Sequence, residues 1–375
     1  MHVAVLGAGY AGLTLTRRLE RELSPDATLT LVDASPNHLV QHELHRVIRR
    51  PELARGITVP LADAVDADVR VARVESVDPE NGEVALSRGT LSYDVGAVCL
   101  GARTAFYGLD GVREHAIPLK RLAHAERIRR EFFRATDHGD PQVVVGGAGL
   151  SGVQVAGELA ELAREEGVDP EIVLVERLER VAPGFPPAFS RAVREALERK
   201  GVEVRAGETV RGADADRVDL ASGELAYDVF VWTGGIRGAD ALGERPTVRS
   251  DLRLAPRTFG LGDAVRAVDA DGEAVPASAQ SAVREARTVA ENVSRLVAHD
   301  REGGEFEPRL EPFTFDSPGW LVSVGDDAVA QVGSSVVTGR AATALKTTVG
   351  VGYLSSVGAV GNAIDLVSRE LGRRR

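Results

Sequence analysis

The chain has 375 residues and a formal net charge of −11, and this length suits roughly two or three domains, each with its own core. The acidic balance argues against nucleic acid as a partner, since neutralising phosphates requires basic patches. Cys99 is the only cysteine, so an intrachain disulfide, a redox-active cysteine pair and a cysteine-rich metal site are excluded. No apolar run approaches the ~20 residues of a membrane span, and no secretory signal precedes the first predicted strand. We therefore expect a cytoplasmic protein without a metal site.

The first predicted unit is a strand, a glycine-rich turn and a helix. An apolar strand over residues 3–6 leads into residues 7–12, which read Gly-Ala-Gly-Tyr-Ala-Gly. In such a turn the first glycine permits the tight bend, the second lets backbone approach a pyrophosphate, and the third lets helix and strand pack closely. Asp33 ends the next predicted strand, where an acid binds ribose hydroxyls in these units. The spacing predicts a dinucleotide site.

A second unit of the same plan begins near the middle of the chain. The strand of residues 143–145 leads into Gly-Ala-Gly-Leu-Ser-Gly at 147–152, and Glu176 ends the next predicted strand. One such turn alone could be an ordinary tight turn before a helix, but two copies with strand, helix and acid in place indicate two bound dinucleotides. Glu176 would repel a 2′-phosphate and so favours NADH over NADPH, although Arg177 and Arg180 could accept that phosphate.

The remaining elements repeat this plan and then add a third region. Between the two glycine turns we predict antiparallel strands at residues 69–74 and 83–86, a buried strand at 93–101 and a helix at 124–136. After the second turn we predict a helix at 190–200, a strand pair at 203–205 and 217–220, and a strand at 227–235 that echoes 93–101. Farther on we expect a strand ending at Gly262-Asp263, a helix at 277–296, strands at 313–315, 320–324 and 328–332, and a glycine-dotted apolar segment at 341–367. This pattern indicates an internal duplication.

With these motifs the chain resembles the flavoprotein reductases that carry two dinucleotide domains, and most of all the type II NADH:quinone oxidoreductases. The likeness runs nearly end to end and is carried by residues 93–101 with 106–111, 145–152, 232–235, 262–263, 279–282 and 323–339. It implies an α/β fold of two Rossmann-like three-layer domains and a C-terminal α+β region. FAD would bind residues 1–112 with 236–305, NADH would bind 113–235, and 306–375 would carry the acceptor site or a dimer or membrane contact.

The resemblance also assigns binding residues. Asp263 would bind the ribityl chain of FAD, with a helix N-cap as the alternative reading. The helix that starts at Ala279 and Gln280 would point at the pyrimidine edge of the flavin. The FAD residues implied are Gly7, Gly9, Tyr10, Ala11, Gly12, Asp33, Ala34, Arg73, Val74, Gly101, Gly262, Asp263, Ala279 and Gln280. The NADH residues implied are Gly147, Gly149, Leu150, Ser151, Gly152, Gln154, Glu176, Gly234 and Gly235.

Reduction of a quinone consumes protons as well as electrons, so proton donors or relays are expected near the flavin. The catalytic candidates are His42, Lys346 and Gln280, with Glu43 and His45 as further relay candidates. The alternatives are a solvated polar loop for residues 42–45 and a snorkelling surface charge for Lys346.

Three departures from the family pattern bear on the acceptor. Gln154 stands where the family has glutamate, and Arg284 replaces a glutamine. The loop at 41–46 reads Gln-His-Glu-Leu-His-Arg, where the family usually carries proline and leucines. Two other functions therefore stay open: a soluble NAD(P)H reductase of a ferredoxin or rubredoxin carrier, and a low-turnover flavin- and NADH-binding sensor. The resemblance also leaves open a homodimer and peripheral contact with the inner face of the cell membrane, to which the basic residues 373–375 could contribute.

Overall fold

The computed structural model describes residues 1–303, 306–356 and 359. The predicted lipid-contacting tail at 373–375 and the apolar segment beyond 356, apart from Ala359, lie outside the described residues. The helices within them are α1 (Tyr10–Glu22), α2 (Arg46–Arg49), α3 (Leu61–Ala64), α4 (Val112–His115), α5 (Leu122–Thr136), α6 (Leu150–Glu166), α7 (Pro187–Glu198), α8 (Ala279–Glu302) and α9 (Gly339–Ser356). Short 3₁₀ turns span Gln41–Glu43, Pro51–Ala54 and Gly262–Ala264. None of the described helices is both long and apolar enough to cross a membrane.

The first sheet is parallel apart from one edge, and its side chains alternate between two cores. Its strands lie in the order Arg253–Ala255, Thr258–Gly260, Val95–Val98, His2–Leu6, Thr28–Asp33 and Asp68–Val71, and only the first two pair antiparallel. Val3 and Val5 enter the core that contains α1 and α8, while Ala4 and Leu6 enter the core on the other face. This period of two is what a strand buried on both faces requires.

An antiparallel sheet covers that second face and completes three layers. It consists of Val74–Asp78, Glu83–Leu86 and Gly89–Ser92, and it contributes Val84 and Leu86 to the second core. The layers are therefore helix, parallel sheet and antiparallel sheet, as predicted for a Rossmann-like domain of this class.

The second sheet repeats the arrangement. Its parallel strands lie in the order Ile117–Pro118, Val229–Trp232, Gln142–Gly146, Glu171–Glu176 and Val202–Ala206. Val143 and Val145 face α6, whereas Val144 packs with an antiparallel sheet of Val210–Ala213, Arg217–Leu220 and Gly223–Ala226. The predicted duplication of the architecture is present in the described chain.

Three predictions about strands were wrong in detail. The segment 69–74 is not one antiparallel strand: Asp68–Val71 joins the first sheet in parallel, and the chain then crosses at Ala72 and Arg73 to the antiparallel layer. Residues 203–205 and 217–220 do not pair with each other, because the former lie in Val202–Ala206 of the second sheet. Residues 313–315 form no strand; their backbone contacts include one hydrogen bond from Phe313 N to Ser250 O.

Helix α8 starts and ends where its capping residues place it. Ser278 Oγ accepts a hydrogen bond of 3.1 Å from Ser281 N, and Gly303 adopts a positive φ of 67° after the last turn. A serine N-cap and a glycine C-cap are the usual start and stop signals of a helix. The helix predicted at 277–296 therefore spans Ala279–Glu302.

Two chain crossings connect the units. Ala102–Thr104 leaves the first unit and pairs antiparallel with Ile236–Gly238, which returns from the second. The returning chain then adds Arg253–Ala255 and Thr258–Gly260 to the first sheet. A C-terminal antiparallel sheet of Gly319–Val324, Asp327–Val332 and Ser335–Thr338 precedes α9.

A buried arginine joins three parts of the chain. The Arg49 guanidinium, 3% exposed, lies 2.7 Å from Glu158, 3.2 Å from Glu165 and 2.5 Å from Asp326. Burial alone would lower the pKa of Arg49, but Asp326 and Glu158 more than offset this and raise it above its ordinary value. The charge is therefore held ionised between α2, α6 and the turn of the C-terminal sheet.

Helix α6 also touches the C-terminal sheet at a glycine. A Cβ built on Gly157 would lie 2.5 Å from Gly325 N and 2.8 Å from Val324 Cα, so only glycine allows this approach. We expect Gly157→Ala to lower the free energy of unfolding by about 1–3 kcal/mol, because the backbone must separate. Urea unfolding followed by circular dichroism measures this.

The matched control is Gly352→Ala in α9, where no atom lies within 4 Å of the built Cβ. Since alanine favours a helix over glycine, the control should be unchanged or up to ~1 kcal/mol more stable. Equal stability of Gly157→Ala and the wild type would show that the two elements can separate without cost.

Candidate functional site

The first glycine turn is closed on one side and open on the other. Gly7 has a φ of 106°, and a Cβ there would collide with the carbonyl oxygen of Cys99; one on Gly12 would collide with the carbonyl of Gly7. At Gly9, in contrast, no atom lies within 4 Å of a built Cβ, and this residue caps α1 without any side-chain hydrogen bond. The first N–H groups of α1 therefore face open space, which is the arrangement that binds an anion.

The Asp33 carboxylate is held beside this turn by hydrogen bonds from backbone N–H groups. Its carboxylate accepts hydrogen bonds of 2.7 Å from Ala8 N and 2.8 Å from Ser35 N. Burial raises the pKa of Asp33 and these N–H donors oppose the shift. Ala34, also predicted to bind FAD, lies between Asp33 and Ser35 in the sequence and is exposed.

The second turn has the same geometry. A Cβ on Gly147 (φ 93°) would lie 2.6 Å from Gly234 Cα, while the face of Gly149 is open and α6 begins there without a side-chain cap. Glu176 accepts hydrogen bonds from Ala148 N at 2.8 Å and Leu178 N at 2.9 Å, matching the contacts of Asp33. The structure therefore brings the predicted glycines and acids together in two equivalent sites. We call them the first cradle (Gly7, Gly9, Gly12 and Asp33) and the second cradle (Gly147, Gly149, Gly152 and Glu176).

The other residues of the second cradle line the same edge of the sheet. Leu150 and Ser151 begin α6, and Gly152 packs against the carbonyl of Gly147. Gly235 (φ 151°) lies against the hydroxyl of Tyr107, an exposed residue that itself has a φ of 54°.

Asp263 occupies the predicted position beside the first cradle. Gly262 packs between Ala11 of α1 and Ala282 of α8, with built-Cβ distances of 3.3 and 3.4 Å. The N-cap of this 3₁₀ turn is Leu261, so the alternative that Asp263 caps a helix is wrong. Among the described residues no group donates a hydrogen bond to the Asp263 carboxylate, which leaves it available to a ligand.

Some of the other predicted FAD residues form hydrogen bonds or an ion pair within the protein, and others have open space beside their backbone. Arg73 pairs with Glu75 at 3.5 Å, and Ser87 contacts both its backbone N and O. Val74 begins the antiparallel sheet, and Gly101 (φ 63°) has open space around its built Cβ. Gln280 Nε2 donates a 3.2 Å hydrogen bond to Ser317 Oγ. The first turn of α8 is capped by Ser278, next to Ala279.

Two charged residues at this site were missed from the sequence. Glu285 of α8 is 2% exposed and accepts a 2.5 Å hydrogen bond from Gly262 N. Burial raises the pKa of Glu285 to about 7, with Asp263 adding to the effect. Burial lowers the pKa of Lys120, and the nearby Asp263 opposes that shift. Lysine occurs at three positions only in this chain, and that rarity was the available signal for Lys120.

An aromatic cluster, which we call the Tyr10 cluster, lies beside the first cradle. It consists of Tyr10, His38, His42 and Tyr353, with ring centroids 4.7 Å apart for Tyr10–Tyr353 and 5.7 Å for Tyr10–His42. His38 bridges Ala8 O at 2.8 Å and the Tyr353 hydroxyl at 2.9 Å, and burial lowers the pKa of His38 to about 4. The cluster joins the first turn to α9.

The loop at 42–45 is not the solvated polar loop of the alternative reading. Glu43 and His45 are each 2% exposed. Burial would raise the pKa of Glu43, but the positive charges of Lys346 and Arg46 together lower it well below its ordinary value. Glu43 is thus a buried carboxylate held ionised, 2.7 Å from Arg46. Lys346 is half-buried, and its positive charge lowers the pKa of Glu43 in this loop.

A second set of contacts reaches the other unit. His45 Nε2 lies 2.9 Å from Ser323 Oγ, and Gln154 Nε2 donates a 3.4 Å hydrogen bond to the same hydroxyl. The first unit, α6 of the second unit and the C-terminal sheet therefore meet at Ser323. In the described part of the chain no cluster of three or more His, Cys, Asp or Glu side chains is arranged to hold a metal ion. Cys99 is buried, and burial raises the pKa of its thiol.

We expect Glu285→Gln to change how stability depends on pH. The folded-state pKa of Glu285 lies above its ordinary value of 4.5, so its favourable contribution is full below pH ~4.5 and is lost as pH rises through 7. Glutamine keeps an acceptor for Gly262 N, so the variant should gain about 1–3 kcal/mol over the wild type by pH 8 and little at pH 4.5. Urea unfolding at both pH values measures this.

Glu291→Gln, an exposed position on the same helix, should show no such divergence. A gain for Glu285→Gln that is the same at both pH values would mean that the carboxyl does not titrate in this window.

Comparisons with known proteins agree with this architecture. The sequence profile of the pyridine nucleotide-disulphide oxidoreductases matches residues 1–286. The type II NADH:quinone oxidoreductase of Staphylococcus epidermidis is 27% identical, covering 96% of this chain and 97% of the relative.

Two solved structures share the fold. NDH2 from Plasmodium falciparum in complex with NADH superposes with a TM-score of 0.83 at 15% identity, covering 98% of this chain and 97% of that one. The sulfide:quinone oxidoreductase of Aquifex aeolicus has a TM-score of 0.80 at 19% identity, with 96% and 92% covered. The fold and the family predicted from the motifs are confirmed, and the chain belongs to the pyridine nucleotide-disulphide oxidoreductase family.

Proposed function

We propose that the protein is an FAD-dependent NADH:quinone oxidoreductase. The observation that carries this is the pair of equivalent cradles in one chain, each with an uncapped helix start and a fastened acid. The type II NADH:quinone oxidoreductases that resemble it nearly end to end favour a quinone acceptor over a carrier protein or a sensor role. Bound FAD would supply the capacity to take hydride from NADH and pass electrons on.

The first cradle fits FAD. The open face at Gly9 suits a pyrophosphate, and the start of α1 offers its N–H groups to the phosphate charges. Asp33 would bind the adenosine ribose, and the Asp263 carboxylate would bind the ribityl hydroxyls. Gly101 and Gly262 would let backbone lie close to the flavin. This part of the chain corresponds to residues 1–112 and 236–305.

The second cradle, within residues 113–235, fits NADH. Gly149 is open in the same way as Gly9, and Glu176 would bind the ribose hydroxyls of the adenosine. A buried carboxylate there disfavours a 2′-phosphate; Arg177 and Arg180, which could accept one, are exposed. Gln154 would lie near the nicotinamide.

The chain's own residues orient and protonate rather than transfer hydride, since hydride transfer requires alignment and no acid or base. Lys346 would keep Glu43 ionised beside the acceptor. Gln280, tied to Ser317, would hold the start of α8 in place. Residues 306–375 would carry the acceptor side, and exposed Leu345 and Val349 on α9 support peripheral membrane contact at the inner face or a homodimer.

Anaerobic stopped-flow spectroscopy of the purified holoenzyme tests the function. NADH should bleach the flavin rapidly, and a short-chain quinone should then reoxidise it rapidly. Fast bleaching with quinone reoxidation no faster than that of free reduced FAD would contradict the proposal and point to a carrier protein or a sensor.

We expect Gly9→Ala to lose FAD without losing stability. A Cβ at Gly9 meets no protein atom within 4 Å, so the folded chain tolerates it, yet it would occupy the space proposed for the pyrophosphate. The dissociation constant for FAD, measured by fluorescence titration of the apoprotein, should rise about tenfold or more, equivalent to ~1.4 kcal/mol.

Gly184→Ala, also open but outside both cradles, is the control and should bind FAD as the wild type does. Wild-type affinity of Gly9→Ala would place the pyrophosphate elsewhere.

A further inference from the structure

The Tyr10 cluster contains a hydrogen-bond arrangement that sets the protonation of one histidine. The Tyr10 oxygen lies 3.1 Å from His42 N and 2.6 Å from His42 Nδ1. The backbone N–H can only donate, so the phenol accepts that bond. Among the described residues Nδ1 is the one acceptor that the hydroxyl proton of Tyr10 reaches, so the phenol donates to Nδ1. Neutral His42 therefore carries its proton on Nε2.

That Nε2 lies on the opposite side of the ring, facing a carboxylate. It is 3.6 Å from Glu43 Oε1, and it has no hydrogen-bond partner among the described residues. This distance is too long for a hydrogen bond to the neutral ring but within the range of an ion pair with a charged one. His42 is thus placed between a phenol and an ionised carboxylate that would face the second proton.

Adding a proton to Nδ1 would reverse the contact with the phenol. Nδ1–H would then donate to the Tyr10 oxygen, Nε2–H would face Glu43, and the hydroxyl proton of Tyr10 would be released from its bond to Nδ1. Tyr10 stands in the first turn of α1, directly after the open Gly9, and its ring packs on Tyr353 of α9. The freed hydroxyl would therefore lie where the first cradle meets the C-terminal region.

Charges from each packed element bear on His42. Burial lowers the pKa of His42, Glu43 raises it, and Lys346 and Arg46 lower it. The neighbouring His38 and Tyr353 are held neutral by burial, so they add no charge at neutral pH. The His42 side chain is 29% exposed although its Nε2 atom is buried, so a solvent proton would approach from the exposed part of the ring.

We propose that Tyr10 and His42 form a proton relay, with Glu43 as its fixed counter-charge, that delivers a proton to the quinone. The inference rests on the proposed function. In the overall reaction NADH, one solvent proton and the quinone yield NAD⁺ and the quinol. NADH supplies two electrons and one hydrogen as hydride, and the relay supplies the second proton. A solvent proton first adds to His42 Nδ1. The Tyr10 O–H bond then breaks as the quinol O–H forms, the His42 Nδ1–H passes to the Tyr10 oxygen, and His42 returns to its neutral form with the proton on Nε2.

Acceptors that differ in their need for protons test the relay in the holoenzyme. Reoxidation by a short-chain quinone consumes protons, whereas reoxidation by ferricyanide consumes none. Tyr10→Phe and His42→Gln should slow the quinone step by roughly 10²- to 10⁴-fold, the scale of a lost general acid, and leave the ferricyanide step and NADH bleaching within about twofold. Tyr227→Phe removes a hydroxyl bonded to Asp214 O, far from the cluster in sequence, and is the control.

An equilibrium readout tests the same arrangement without turnover. In ¹⁵N-histidine spectra of the oxidised holoenzyme, the His42 signals, identified by their loss in His42→Gln, should show an unprotonated Nδ1 and a protonated Nε2. Tyr10→Phe should shift this tautomer balance, and Tyr227→Phe should not. A protonated Nδ1 in the wild type would overturn the inference.

The kinetic outcomes separate the relay from the function. Quinone and ferricyanide steps slowed equally in both variants would indicate a structural role, and an unchanged quinone step would also overturn the relay while the function stands. If Tyr10→Phe fails to retain FAD, the relay is tested in His42→Gln alone, by the ratio of its quinone reoxidation rate to its ferricyanide reoxidation rate. A wild type that reduces no quinone would overturn the function and the relay together.

Discussion

The buried ion pairs of Arg49 are the interaction on which the arrangement of the chain depends. A guanidinium taken out of water costs several kcal/mol unless its partners are in place. Here those partners are Glu158 and Glu165 of α6 and Asp326 of the C-terminal sheet, so the charge is satisfied only when three distant segments adopt one orientation. The close backbone approach at Gly157 adds a steric limit to the same contact.

That orientation positions the loop of residues 41–45, which leads directly into α2 and Arg49. His42 is brought against Tyr10 at the start of α1, and His45 is brought against Ser323 of the C-terminal sheet. Because α6 also reaches Ser323 through Gln154, the region around Ser323 is built from all three parts. The two cradles, in contrast, are each complete within one unit, which explains how the same local plan could be duplicated.

Much of the fold could be predicted because its signals are local. Glycines at fixed spacing after a β-branched run, and an acid at the next strand end, specify turn, helix and cradle over about 30 residues. Strand partners were harder: the run at 69–74 looks uniform, yet it divides at Ala72, whose N–H bonds Asp33 O while the next residue turns to Ser87. An apolar period of two shows that a strand exists and says nothing about which neighbour it pairs with.

The amino-acid sequence by itself determined the two cradles, their acids and the absence of a redox-active cysteine pair, since each follows from residue type and short spacing. It did not determine that Glu43 is buried and ionised, that Glu285 lies under Gly262, or that Lys346 acts on a loop some 300 residues away. Only the tertiary structure decided these, because burial and charge pairing depend on which segments pack together, and that packing is settled by contacts far apart in the chain.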